Sequence, residues 1–181
     1  MSKQVILVDE QDRELGVADK LSVHRAGELH RAFSIFIFNH NGEMLLQKRS
    51  PKKYHSGRLW SNACCSHPEP GETLAAATAR RLEEELGIKC ALTKAFDFIY
   101  QARVNNELIE HEFDHVYVGR YEGEVSANPD EVANYRWINA EALKSELLRN
   151  PQDFTIWFKI VMEKMRGVVP QHDKLSTPFQ N

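Results

Sequence analysis

One stretch restricts the fold more than any other: Ser66 to Ile88, which reads SHPEPGETLAAATARRLEEELGI. Alanines throughout, leucines at 74, 82 and 86, and Gly87 just past the last apolar residue predict a helix over Glu72–Leu86 with a glycine C-cap. Arg80 and Glu84 stand four apart, as do Arg81 and Glu85, so each pair is adjacent on the helix surface. Glu84 and Glu85 also put negative charge at the negative end of the helix dipole, a loss of roughly a few tenths of a kcal/mol or more. A cation should compensate. Helix physics leaves two sources open: the arginines themselves, or a divalent metal, alone or carried by a diphosphate. Just upstream, WSNACCSHPEPGE sets Cys64, Cys65 and His67 ahead of the helix. Buried filler, metal ligands, a redox pair, or a nucleophile or acid beside a metal ligand all satisfy that spacing.

The rest of the chain limits what surrounds this helix. Its 181 residues suffice for one domain with a sizeable core, and no repeat or long linker divides them, so one domain over 1–181 is expected. With 42% hydrophobic and 27% charged residues, the chain reads as globular and soluble. A net charge of −3 and a pI near 6.2 argue against a nucleic-acid partner. No apolar run approaches the roughly 18 residues that span a bilayer, and the first residues show no secretory signal. The final TPFQN matches no lipidation or retention signal. Cys64, Cys65 and Cys90 are too few and too odd a set for a disulfide framework, so reduced thiols in a cytoplasmic setting are expected.

Hydrophobic patterning predicts mixed α and β, with most strands joined by hairpins. Val5–Val8 reads as an edge strand, and FSIFIF at 33–38 as a buried one. An Asn-Gly turn then returns through Met44–Lys48. Residues 50–70, rich in Pro, Gly, Lys and Ser, read as loop. Strands are predicted at Phe96–Val104 and Leu108–Val118 around an Asn105-Asn106 turn, and at Tyr135–Ile138. Asn139 caps a predicted helix to Leu148, and Pro151 opens a last one to about Arg166.

Within LIEHEFDHVY, a period of two puts Glu110, Glu112 and Asp114 on one strand face, with His111 and His115 on the other. Three acids on one face need water or a counter-charge. Periodicity cannot say which face is buried. An exposed edge and a metal site are both open. His24, His30 and His67 together with carboxylates would suit Zn²⁺, Mn²⁺ or Fe²⁺, though spacing alone does not bring them together.

Taken together, these motifs resemble a known pattern. Glu72, Arg80, Leu82, Glu84, Glu85, Gly87 and Ile88 keep the spacing of the Nudix box, with two departures: Ser66 for its first glycine, and Arg81 for the glutamate after the arginine. Replacing that metal-binding glutamate by a cation weakens a Mg²⁺-dependent diphosphohydrolase reading, which stays as the alternative. With WSNACCSHP and EHE added, the chain resembles the type 1 isopentenyl-diphosphate isomerase family from about Lys20 to Trp157. The resemblance implies an α+β fold, a Nudix-like α/β/α sandwich whose mixed sheet is flanked by helices. It implies interconversion of isopentenyl and dimethylallyl diphosphates, in isoprenoid synthesis, by protonating and deprotonating an alkene. Cys65 and Glu112 would then be the catalytic pair on opposite faces of the substrate, with Tyr100 beside Glu112 and Trp157 facing the carbocation. His24, His30, His67, Glu110 and Glu112 would hold one divalent metal, Mn²⁺ or Zn²⁺. Glu85 would hold Mg²⁺ against the diphosphate, and Lys20, Arg49, Lys52 and Arg81 would contact it. A small-molecule substrate, no membrane partner, and a monomer or small homo-oligomer complete the expectation.

Overall fold

A computed structural model of the chain describes residues 3–104 and 107–168. The Asn105-Asn106 turn and the C-terminal tail expected from the sequence lie outside the described residues. Nine strands form one mixed sheet: β1 (Gln4–Val8), β2 (Glu14–Asp19), β3 (His30–Phe38), β4 (Met44–Arg49), β5 (Trp60–Ser61), β6 (Cys64–Ser66), β7 (Leu92–Arg103), β8 (Ile109–Arg120) and β9 (Val132–Ile138). Four helices accompany them: α1 (Lys20–Ala26), α2 (Leu74–Leu86), α3 (Ala140–Arg149) and α4 (Ile156–Val168). None is long and apolar enough to cross a membrane.

The sheet is organised around β3. β8 runs parallel to it over its whole length, from His30↔Glu112 to Phe38↔Arg120, and β7 pairs antiparallel with the far side of β8. On its other side β3 meets β1 at Leu7, then β6 at Cys64–Ser66, then β4 at Met44. Because side chains alternate, the FSIFIF run serves two layers. Phe33, Ile35 and Ile37 pack with Ala77, Leu82 and Leu86 of α2. Phe36 faces the opposite way, onto Leu143 of α3 and Trp157, Phe158 and Val161 of α4. Helices on both faces of a mixed sheet make the α+β sandwich expected from the sequence.

Several boundaries differ from the sequence reading. α2 starts at Leu74, because Thr73 caps it by accepting a hydrogen bond from Ala76 N at 3.2 Å, which leaves Glu72 outside the helix. Met44–Arg49 touches β3 in register only at Phe38↔Met44 and otherwise pairs with β9 and, at Gln47 and Lys48, with β5, so the expected hairpin opens at once. The region read as loop contains β5 and β6, too short for a periodicity signal. β2 and α1 were not expected. α1 is seven residues long, but its ends are well fixed: Asp19 Oδ1 accepts from Ser22 N, and Gly27 closes it at φ 71°. Pro151 opens a 3-10 turn, and α4 follows only from Ile156.

Candidate active site and metal centre

Register explains how distant residues meet. Ser34 pairs with Cys65 of β6, His30 with Glu112 of β8, and Glu112 with Tyr100 of β7. Paired residues share a face, so His30, Ser34, Cys65, Tyr100, Glu110, Glu112 and Asp114 all look toward the α4 side. Cys65 and Glu112 stand on strands flanking β3 from opposite sides and line one cleft, with Lys20, Arg49, His67 and Trp157 around it. β8 is an inner strand, which settles the question periodicity left open: Glu110 is 3% exposed, Glu112 8% and Asp114 0%.

His24, His30, His67, Glu110 and Glu112 each bring one ligand atom into a group lying within 4.8 Å of one another. α1 supplies His24, the start of β3 His30, the segment after β6 His67, and β8 the two acids. His24 Nδ1 lies 2.7 Å from Lys20 O and His30 Nδ1 2.9 Å from Glu28 O. A carbonyl only accepts, so each Nδ1 carries the proton and, in the neutral ring, each Nε2 presents a lone pair to the cluster. There the two find different partners: His24 Nε2 meets an acceptor, and His30 Nε2 meets the ring of His67, whose Nδ1 accepts from Lys20 and whose Nε2 also lies 3.0 Å from Glu112 Oε1. His24 Nε2 is 3.2 Å from Glu110 Oε2, and both atoms are buried without a hydrogen bond. His30 Nε2 faces His67 Nε2 at 3.1 Å and Glu112 Oε1 at 3.7 Å. Lone pairs and carboxylates converging in a buried space call for a positive charge between them, and this donor set suits a divalent metal ion. Of the expected metal residues, Glu85 is not in this cluster. It lies on the α2 side, where Gln47 Nε2 donates to its Oε2 at 2.9 Å and Arg81 pairs with its Oε1.

The thiol has its own support. Cys65 donates to Asn62 Oδ1 at 3.0 Å, and its Sγ lies 3.5 Å from Ser34 Oγ. Asn62 is fixed in turn, donating to Ile35 O and Cys64 O, each at 3.0 Å. Ser34 donates to Asp114 Oδ2 at 2.8 Å. Burial is the main influence that pushes the Cys65 thiol up to about 12, with Asp114 adding to it. Cys65 is therefore a protonated thiol at neutral pH. Asp114 itself is pushed far above the carboxylate range by burial and by Glu112, which answers how three acids share one buried face. Burial would also raise Glu112, but a positive charge beside it, that of His30 in its protonated form or of a metal ion in its place, outweighs this and holds the carboxyl well below its usual range. Tyr100 donates to Glu112 Oε2 at 2.6 Å. Trp157 is 4% exposed, and its indole N–H donates to Ser61 Oγ at 3.0 Å.

The expected phosphate contacts divide. Lys20 Nζ lies 3.2 Å from His67 Nδ1, and burial lowers its ammonium to about 8. The Arg49 guanidinium sits 5.0 Å over the Trp157 ring, in the cleft. Arg81 is turned toward Glu84, Glu85 and Glu131 and does not line the cleft. Lys52 does not line the cleft: its side chain is 72% exposed and pairs with Asp130. The inward lysine of the loop is Lys53, bound to Glu131, with a charge felt at Lys20 and Cys64. Sequence reasoning missed Ser34, Asn62, Glu131 and another buried histidine, His55. Of these only Asn62 had an available signal, its place in the WSNACCSHP motif.

Residues 28–158 match the NUDIX domain family. The chain is 49% identical over 165 residues to Isopentenyl-diphosphate Delta-isomerase 1 of Aromatoleum aromaticum, covering 91% of this chain and 93% of that one. It is 48% identical over 164 residues to Isopentenyl-diphosphate Delta-isomerase of Burkholderia multivorans, covering 91% and 93%. Among solved structures, a Deinococcus radiodurans protein superposes with a TM-score of 0.74 at 19% identity, covering 89% of this chain and 98% of that one. A MutT protein from Methanosarcina mazei gives 0.63 at 21% identity, covering 77% and 94%. These two distant likenesses speak to the fold alone, whereas the near relatives decide the lineage: the chain belongs to the isopentenyl-diphosphate Delta-isomerase family of Nudix-fold proteins.

Proposed function

We infer that this protein interconverts isopentenyl and dimethylallyl diphosphates. The observation that carries the reading is that the Cys65 thiol and the Glu112 carboxyl line one cleft from opposite flanks of β3. Isomerisation gives one proton to the terminal alkene carbon, forming a tertiary cation, and takes another from the carbon on the far side of that centre. The two protein groups must therefore hold one transferable proton between them. Cys65 protonated with Glu112 ionised meets that count, and one transfer at each group exchanges their roles. Each positioned acid or base contributes about 10²–10⁴-fold.

The remaining residues have parts that follow from their chemistry. Tyr100 holds Glu112 Oε2, fixing the oxygen's direction and stabilising its charge. The Trp157 ring offers a π face to the cation, worth about 2 kcal/mol or more when desolvated. Buried Phe36, Val116 and Phe158 form the apolar cluster against which Tyr100 and Trp157 pack. Lys20 and Arg49, which line the cleft, supply cations for the diphosphate, and Lys53 and Arg81, both paired with Glu131, stand behind them. His24, His30, His67, Glu110 and Glu112 would hold Mn²⁺ or Zn²⁺, whose charge lowers the proton affinity of the adjacent carboxyl when bound. Glu85 would hold Mg²⁺ with the diphosphate.

Incubation with isopentenyl diphosphate and Mg²⁺ tests the reading. Dimethylallyl diphosphate is the expected product. Released inorganic phosphate without isomer would replace it with a Nudix diphosphohydrolase.

A further inference from the structure

His55 belongs to none of the expected sets, yet it is 4% exposed and touches the centre of the site. Its Nε2 lies 3.0 Å from Glu110 Oε1. The carboxylate only accepts, so Nε2 carries the proton and donates, while Nδ1 faces Ser56 Oγ at 3.2 Å. The two oxygens of Glu110 are thereby divided. Oε1 is held by His55, and Oε2 turns to His24 Nε2 at 3.2 Å, inside the five-ligand group.

The ring is fixed on its other sides as well. Its edge contacts are Tyr54 at 4.4 Å and Trp157 at 5.8 Å between centroids, both nearly perpendicular. Arg49 donates to the His55 carbonyl at 3.3 Å. The loop that carries it accepts two left-handed non-glycine residues, Ser56 at φ 51° and Arg58 at φ 67°. Such conformations cost free energy and persist where surrounding contacts require them. The loop that leaves Lys52 in solvent thus sends a histidine inward, onto a buried acid.

We propose that His55 is a positioning residue for the divalent-metal centre, its Nε2–H fixing Oε1 of Glu110 so that Oε2 faces His24, His30 and His67. The inference rests on the five-ligand reading of that cluster. Outer partners of metal ligands act in this way, orienting the ligand without touching the ion.

Zn²⁺ affinity of the full chain, measured by competition with a chelating dye, tests it without recourse to turnover. His55→Ala and His55→Phe should each weaken binding about 10–100-fold, whereas His55→Gln, with an amide N–H to donate, should recover most of the affinity. The phenylalanine keeps the volume and the ring contacts but has no donor, so wild-type affinity in His55→Phe would reduce His55 to packing and overturn the proposal. Unchanged affinity in His55→Ala, beside a loss in His24→Ala, would overturn it while leaving the five-ligand reading standing. Equal affinity of wild type and His24→Ala would overturn both.

Discussion

At the scale of single residues, the site depends on where protons rest. Cys65 keeps its proton because burial disfavours the thiolate and Asp114 adds to that, while Asn62 gives the S–H a fixed acceptor. Cys65→Ala and Glu112→Gln should each lower kcat by about 10²–10⁴-fold or more, read in a steady-state assay. Asn62→Ala should act differently, lowering kcat at little change in KM and also costing about 1–3 kcal/mol of stability, since Ile35 O and Cys64 O lose a buried donor. Denaturant unfolding alongside kinetics separates the two effects. The alternation of EHEFD was enough to group Glu110, Glu112 and Asp114, and their burial followed only from the pairing of β8 on both sides. Ser34 was hidden inside a run that reads as core, and His55 inside a run that reads as solvated. Neither residue type nor spacing distinguishes an inward side chain from an outward one in such a loop, which is also why Lys52 was preferred to Lys53.

At the scale of elements, α2 illustrates how charge and capping act together. Thr73→Ala removes its side-chain cap and should destabilise the protein by about 1 kcal/mol in denaturant unfolding. Before the helix, Glu72 pairs with Arg80, whose Nη2 donates at 2.7 Å and whose Nε donates at 2.8 Å. That hydrogen bonding holds the Glu72 carboxyl below its ordinary 4.5. A depressed acid contributes stability above its unfolded value and loses it as pH falls through the folded one. Wild type should therefore exceed Glu72→Gln in Tm near neutral pH, and the gap should close as pH drops below about 4.5. A gap that widened on acidification would contradict this pairing. The helix itself was legible because alanine content, leucine spacing and Gly87 all agree. β5 and β6, two and three residues long, had no period to read, yet β6 sets the position of the Cys65 thiol.

At the scale of the whole molecule, one sheet and its flanking helices gather groups from widely separated segments. α1 brings His24, β6 brings Cys65, β8 brings its acids, and α4 closes the far side with Trp157. The layered fold was legible from patterning and resemblance, whereas the parallel β3–β8 pairing that aligns His30 with Glu112 was not, because pairing between strands so distant in sequence leaves no local mark. Adding Zn²⁺ at about 100 times its Kd should stabilise the folded chain by about 2.7 kcal/mol, seen as a rise in Tm that a chelator reverses. The most direct measurement follows hydrogen exchange into substrate and product during turnover of isopentenyl diphosphate in D₂O, by NMR. The shared-proton account predicts deuterium in dimethylallyl diphosphate for wild type, and neither product nor deuterium for Cys65→Ala or Glu112→Gln. Wild-type turnover and deuterium uptake in either variant would contradict it.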